Sequence, residues 1–88
     1  MVVEKQVTLK NGSGLHARPA SQFVAEATKF SSDVFVEVNG KRVNAKSILG
    51  LLALGAPQGA TVSIITEGPD EEQALDALCK LVDGGFGE

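Results

Sequence analysis

The only histidine in the chain, His16, lies in the stretch GLHARPA, two residues before Arg18 and three before Pro19. At neutral pH an imidazole keeps a neutral fraction whose unprotonated ring nitrogen is a nucleophile. Pro19 suits a first helical turn, because its φ is already helical and its missing N–H would have no partner there. Proline also disfavours helical geometry in the residue before it, which makes Arg18 an alternative boundary. Ala17 already fits the apolar stripe that follows, so His16 is placed at the helix start. Such an end leaves backbone N–H groups without internal acceptors and carries partial positive charge, which favours an anion. A phosphoryl group taken up by the ring would rest against the amides of Ala17 and Arg18. The Arg18 guanidinium could make charge-assisted bonds to its oxygens, and the Ser13 hydroxyl could reach them too. Gly14 lets the loop bend close. The phosphorus–nitrogen bond is labile, so the group can be passed on, whereas a serine ester would hold it. A lone histidine is more often a surface or capping residue. Its uniqueness, its place at a helix start and Arg18 within one turn favour an anion site with a built-in nucleophile.

A second candidate is Ser47 in Lys46-Ser47-Ile48-Leu49-Gly50, where the serine caps a short helix. Ile48, Leu49, Leu51 and Leu52 offer more apolar surface than one short helix can bury. Leu51 is expected in the core. Ile48, Leu49 and Leu52 are expected exposed near His16, as a docking patch edged by Arg18 and Lys46 that suits a weak, fast interface.

The elements that must position these residues follow from periodicity. Val3, Val7 and Leu9 alternate with Glu4, Gln6, Thr8 and Lys10 in a half-buried strand, with Lys5 the one charged exception on the apolar face. Asn11-Gly12-Ser13-Gly14 breaks it. Ala17, Ala20, Phe23, Val24, Ala27 and Phe30 recur at helical spacing, predicting a helix from Ala17 to about Phe30. Val34, Val36 and Val38 mark a second strand, and Asn39-Gly40 predicts a type I′ hairpin turn into a third, Lys41 to about Ala45. A short helix after Ser47 ends at Gly55-Ala56-Pro57-Gln58-Gly59. A fourth strand runs from Ala60 to Thr66. Asp70 and Gln73 have capping-box spacing ahead of a last helix that buries Ala74, Leu75, Leu78, Leu81 and Val82 and stops at Gly84-Gly85. The order β-α-β-β-α-β-α predicts an α+β fold, a four-stranded sheet with the helices covering one face.

Composition narrows the function classes. Eighty-eight residues, 43% hydrophobic and 22% charged, predict one small globular domain over 1–88, without an internal linker, repeat or low-complexity tract. A formal net charge of −3 and the absence of Trp and Tyr argue against nucleic acid as a partner. No apolar run approaches the ~18 residues of a membrane span, and the alternating N-terminus lacks a signal-peptide core, so a cytoplasmic protein is expected. The single cysteine, Cys79, fits a reducing compartment and reads as an inert helix residue. One His and one Cys cannot build a self-contained zinc site, so neither metal nor cofactor is expected.

The stretches SGLHARPASQFVAEA and NGKRVNAKSILGLLALG, at this distance and in a chain of this length, resemble HPr. That family comprises the histidine-containing phosphocarriers of the bacterial phosphoenolpyruvate-dependent sugar phosphotransferase system, and the likeness spans essentially the whole chain. It implies an open-faced β-sandwich, a four-stranded antiparallel sheet under three helices. It implies that the ring of His16 accepts a phosphoryl group on its δ nitrogen from enzyme I and passes it to the A domains of enzymes II. Arg18 would steady the phosphate, and the protein would be a stoichiometric carrier, not an enzyme. In many relatives a serine at the place of Ser47 is phosphorylated by an ATP-dependent kinase, and that form binds a catabolite-control transcription factor. A phosphate there would add ~1.5–2 negative charges at the helix start. Some relatives carry lysines along the first helix, whereas Ala25 and Thr28 here are uncharged and Lys29 remains at its end. Two other readings are a relative on the nitrogen-related or a mainly regulatory branch, and a ligand-sensing domain of ferredoxin-like type, which would need no imidazole beside Arg18.

Overall fold

The alternating N-terminal residues form strand β1 (Val2–Thr8), and the helical stripe after His16 forms α1 (Ala17–Ala27). There follow β2 (Asp33–Val38), β3 (Lys41–Asn44), α2 (Ile48–Leu54), β4 (Thr61–Glu67) and α3 (Glu71–Asp83), in a computed structural model that describes residues 2–87. The strands make one antiparallel sheet in the order β1-β4-β2-β3. This is the open-faced β-sandwich that the sequence predicts, with three helices against the sheet.

Strand register decides which side chains meet the helices. Val7 lies opposite Val62, and Val36 lies opposite both Ile64 and Val43. Val7, Val36, Val62 and Ile64 are buried together with Phe23 of α1, Leu51 of α2 and Leu78 and Val82 of α3. Asn39 and Gly40 take φ of +52° and +81°, the pair of positive values that a type I′ turn requires. Helix α1 ends three residues earlier than its apolar stripe. Lys29 N–H donates to the Glu26 carbonyl and Phe30 N–H to that of Ala27, tightening the chain from α- to 3₁₀-type bonding.

Three features depart from the sequence pattern. Ile65 faces away from the helices, between Glu4 and Phe35, yet is 3% exposed. Phe35 lies half-buried beside it, with the Arg42 guanidinium 5.8 Å from the Phe35 ring centroid while Arg42 Nε donates to Glu37 Oε1 at 3.1 Å. After Gly84 ends α3, a tight turn over Gly85–Gly87 buries Phe86, which adopts φ +56° between two glycines.

The third departure concerns Asp70. Its carboxylate makes no capping bond to α3, so the expected capping box with Gln73 does not form. It accepts instead from Ser31 N–H at 3.0 Å, from Ser32 N–H at 2.9 Å and from the Ser32 hydroxyl, clamping the turn between α1 and β2. The opening of α3 is held by Glu71, whose Oε1 accepts from Gly68 N–H at 3.0 Å. The Ser32 hydroxyl, followed by the Ser31 amide, holds the Asp70 pKa down at about 2. Because the folded state lowers this pKa, its stabilisation is present above the ordinary carboxylate range and is lost as pH falls from about 4 towards 2. Asp70→Asn is expected to melt several degrees below the parent at pH 7, with the gap closing as pH falls through that window. Thermal melts followed by circular dichroism from pH 7 to pH 2 check this; a gap independent of pH would contradict it.

Candidate functional site

The site is assembled by two loops zipped together. Leu9 N–H donates to the Ala60 carbonyl at 2.9 Å, Gly59 N–H to that of Leu9 at 2.8 Å, and Leu15 N–H to that of Ala56 at 2.9 Å. Gly14 occupies the narrowest point at φ +61°, where a Cβ would stand 2.3 Å from the Ala56 carbonyl oxygen. The bend expected of Gly14 is therefore dictated by close backbone approach as much as by its dihedral. Leu15 is buried and anchors the loop end.

His16 is the N-cap of α1, with φ −80° and ψ −174°. Its carbonyl accepts the first intrahelical bond, from Ala20 N–H at 2.9 Å, while its side chain makes no capping bond and is exposed. Ala17 and Arg18 are exposed and Pro19 and Ala20 buried, so the helix start turns its two free-standing positions to solvent. As Pro19 has no N–H, the amides of Ala17 and Arg18 are the first-turn donors without an intrahelical acceptor. Ser13 is half-buried, and its Oγ accepts from Asn11 Nδ2 at 3.3 Å. The exposed imidazole thus precedes two amides without intrahelical acceptors and an exposed arginine, a helix start of the kind that favours an anion.

Ser47 is the N-cap of α2, and its Oγ accepts from Gly50 N–H at 3.2 Å. Ser47→Ala is expected to cost about 1 kcal/mol for the lost cap, a fall in Tm of about 4–8 °C for a domain of this size. A thermal melt reads it directly.

Helix α2 presents Leu49 and Leu52 to solvent, 75% and 37% exposed, while Leu51 is fully buried. Ile48 corrects the expected patch: it is half-buried and packs on the core. Lys46 also differs, since its Nζ donates to the Phe30 carbonyl at 2.8 Å and so ties the start of α2 to the chain just beyond α1. The other end of α2 meets the site, because Ala56, two residues past Leu54, holds Leu15. The packed helices α1 and α2 therefore run in opposite directions. Ser47 caps the end of α2 remote from Ala56 and the His16 loop, and α2 is 7 residues or about 10 Å long. Sequence spacing gave no sign of this separation.

Cys79 is buried, and burial pushes its thiol pKa up, which disfavours the reactive thiolate. It lines a cleft of about 270 Å³ between β1 and α3 with Val3, Lys5, Glu72, Leu75 and Asp76, none of them a candidate for the chemistry above. Among the described residues no cluster of His, Cys, Asp or Glu could hold a metal ion, and no helix is long and apolar enough to cross a membrane.

A four-stranded open sandwich that exposes its single imidazole at the start of its first helix has the architecture of a small phosphocarrier. Residues 3–83 match the family model described as PTS HPr component phosphorylation site, and the chain belongs to the HPr family. It is 51% identical over 82 residues to the HPr-like protein Crh of Halalkalibacterium halodurans, covering 93% of this chain and 98% of that one. It is 41% identical over 87 residues to the phosphocarrier protein HPr of Neisseria meningitidis, covering 99% and 98%. The crystal structure of HPr-C-His from Thermoanaerobacter tengcongensis superposes with a TM-score of 0.95 at 51% identity, covering 98% of this chain and 97% of that one.

Proposed function

We propose that this chain acts as one domain in the cytoplasm, as a stoichiometric phosphoryl carrier of the sugar phosphotransferase system. It would be loaded on His16 by phosphorylated enzyme I and unloaded onto enzyme II A domains. The single observation that carries the reading is the exposed His16 side chain at the N-cap of α1, which makes no capping bond, in a chain of the HPr family. In the transfer a ring nitrogen donates its electron pair to phosphorus as the donor's bond to phosphorus breaks, and the donor leaves with that bond's electrons. The amides of Ala17 and Arg18, the Arg18 guanidinium and the Ser13 hydroxyl receive the phosphoryl oxygens. Leu49 and Leu52 supply the apolar contact for partners, with Ile48 and Lys46 bracing the helix that carries them.

The proposed regulation lies at Ser47. A kinase/phosphorylase using ATP would add a dianion to this N-cap, and the modified chain would dock to a catabolite-control transcription factor. With Ser47 at the end of α2 remote from the His16 loop, that phosphate would act on a partner lying across both helices.

The test is incubation with enzyme I and radiolabelled phosphoenolpyruvate. Acid-labile label on His16 supports the carrier reading; no label with a competent donor sinks it. Arg18→Ala is expected to slow both loading and unloading by about a hundredfold or more, with Tm unchanged because the side chain is exposed. Rapid-quench measurement of label in both directions checks it.

A second reading has a specific observation behind it. The relatives include the HPr-like protein Crh at 51% identity, level with the 51% to the Thermoanaerobacter HPr. A mainly regulatory role would give acid-stable label at Ser47 from ATP and kinase, lost in Ser47→Ala, without acid-labile label from enzyme I.

A further inference from the structure

We infer that Asn11 is a positioning residue that sets the direction in which His16 leaves its loop. This rests on the carrier reading of His16 and adds to it a residue outside the helix start. Asn11 is 4% exposed, and a buried amide side chain is costly unless its hydrogen bonds are made. Its Nδ2 donates to the Gly14 carbonyl at 2.7 Å and to Ser13 Oγ at 3.3 Å, and the Asn11 backbone carbonyl accepts from Gly14 N–H at 3.2 Å. The buried side-chain Oδ1 makes no hydrogen bond among the described residues, so the side chain is held by its Nδ2 bonds.

The decisive feature is the peptide unit joining Gly14 to Leu15. Its carbonyl is held by the Asn11 side chain and its N–H by the Ala56 carbonyl at 2.9 Å. A peptide plane bonded at both edges cannot rotate about its flanking bonds without breaking one of them. Gly14 has no Cβ to restrict that rotation, so the hydrogen bonds supply the restraint that sterics would supply elsewhere. The next residue after this fixed plane and the buried Leu15 is His16. Removing Nδ2 leaves the buried Gly14 carbonyl unpaired, and the loop must turn to hydrate it.

Asn11 does not touch the phosphoryl group; it acts through the orientation of His16. The expected signature is therefore on turnover and not on docking, whose apolar contacts Leu49 and Leu52 lie on α2. In steady-state transfer from enzyme I, well below Tm, Asn11→Ala is expected to lower kcat about tenfold with KM nearly unchanged. Val82→Ala, a cavity in the core of α3, is the stability control and is expected to keep the parental kcat. Should the alanine variant fail to fold, Asn11→Ser, whose shorter arm cannot reach the same carbonyl, carries the same expectation. Parental kcat in the Asn11 variant, a change in KM alone, or an equal fall in Val82→Ala would each overturn the inference. Failure of the unsubstituted chain to take label would instead remove the carrier reading, and this inference with it.

Discussion

A His16→Ala chain given enzyme I and labelled phosphoenolpyruvate takes up no acid-labile label, at any donor concentration or incubation time. The loss is complete because His16 is the only histidine in the chain, so no second imidazole can substitute. Hydroxyls are poor stand-ins, since an unactivated serine is a weak nucleophile and its ester would not release the group. The same substitution leaves Tm within about 4 °C of the parent, as expected for an exposed side chain with a stability effect of about 0.5 kcal/mol or less. His16 supplies no capping bond, so there is nothing structural for alanine to remove. Loss of label together with an unchanged melt separates chemistry from fold. Residual acid-labile label in this variant would mean that the nucleophile lies elsewhere.

Gly14→Ala is the larger structural lesion. The alanine would have to hold φ +61°, a left-handed conformation costing roughly 1–2 kcal/mol. Its Cβ would also stand 2.3 Å from the Ala56 carbonyl oxygen and 2.8 Å from both the carbonyl carbon and Cα of Pro57. All three are backbone atoms, so no side chain can swing aside. The two loops must part, breaking the Leu15–Ala56 hydrogen bond and leaving buried groups unpaired at roughly 1–3 kcal/mol. The combined expectation is a loss on the order of 3 kcal/mol or more, which is a fall in Tm of about 12 °C or more. Phosphoryl uptake by the folded fraction also falls, since the displaced loop carries His16. A melt within a few degrees of the parent would show that the loops have slack that the backbone distances do not reveal.

The family assignment and these variants bear on different levels. Membership in the HPr family defines a phosphocarrier, and the neighbours include both HPr and the HPr-like Crh. The two helices offer His16 and Ser47 opposite ends of one surface. Leu52, on the last turn of α2, lies towards His16, whereas Leu49, on the first, lies towards Ser47.

Much of this was legible in the residues themselves. The alternating valines gave the strands, the steps of three and four gave the helices, and Asn39-Gly40 gave the hairpin, because each signal depends on neighbours a few positions away. The N-cap position of His16 and the Ser47 cap were legible for the same reason: a helix start is marked by residues within one turn, here Pro19 after His16 and the Ser47 hydroxyl that accepts from Gly50 N–H. The burial of Leu51 followed from its place on the apolar stripe.

Other features depend on groups far apart in the chain. Asp70 has capping-box spacing to Gln73, but its carboxylate bonds Ser31 and Ser32, about forty residues earlier, where two amides and a hydroxyl converge on it. Lys46 reads as a surface charge until Phe30 presents a carbonyl to it, and Ile48 reads as exposed until α2 is laid on the core. Ile65 is covered by cross-strand neighbours that only the register brings beside it. Local sequence thus determined which elements form and where a nucleophile could sit. The tertiary structure decided which ends meet, placing Ala56 against Leu15 and separating Ser47 from His16, because those contacts arise only when distant segments are packed together.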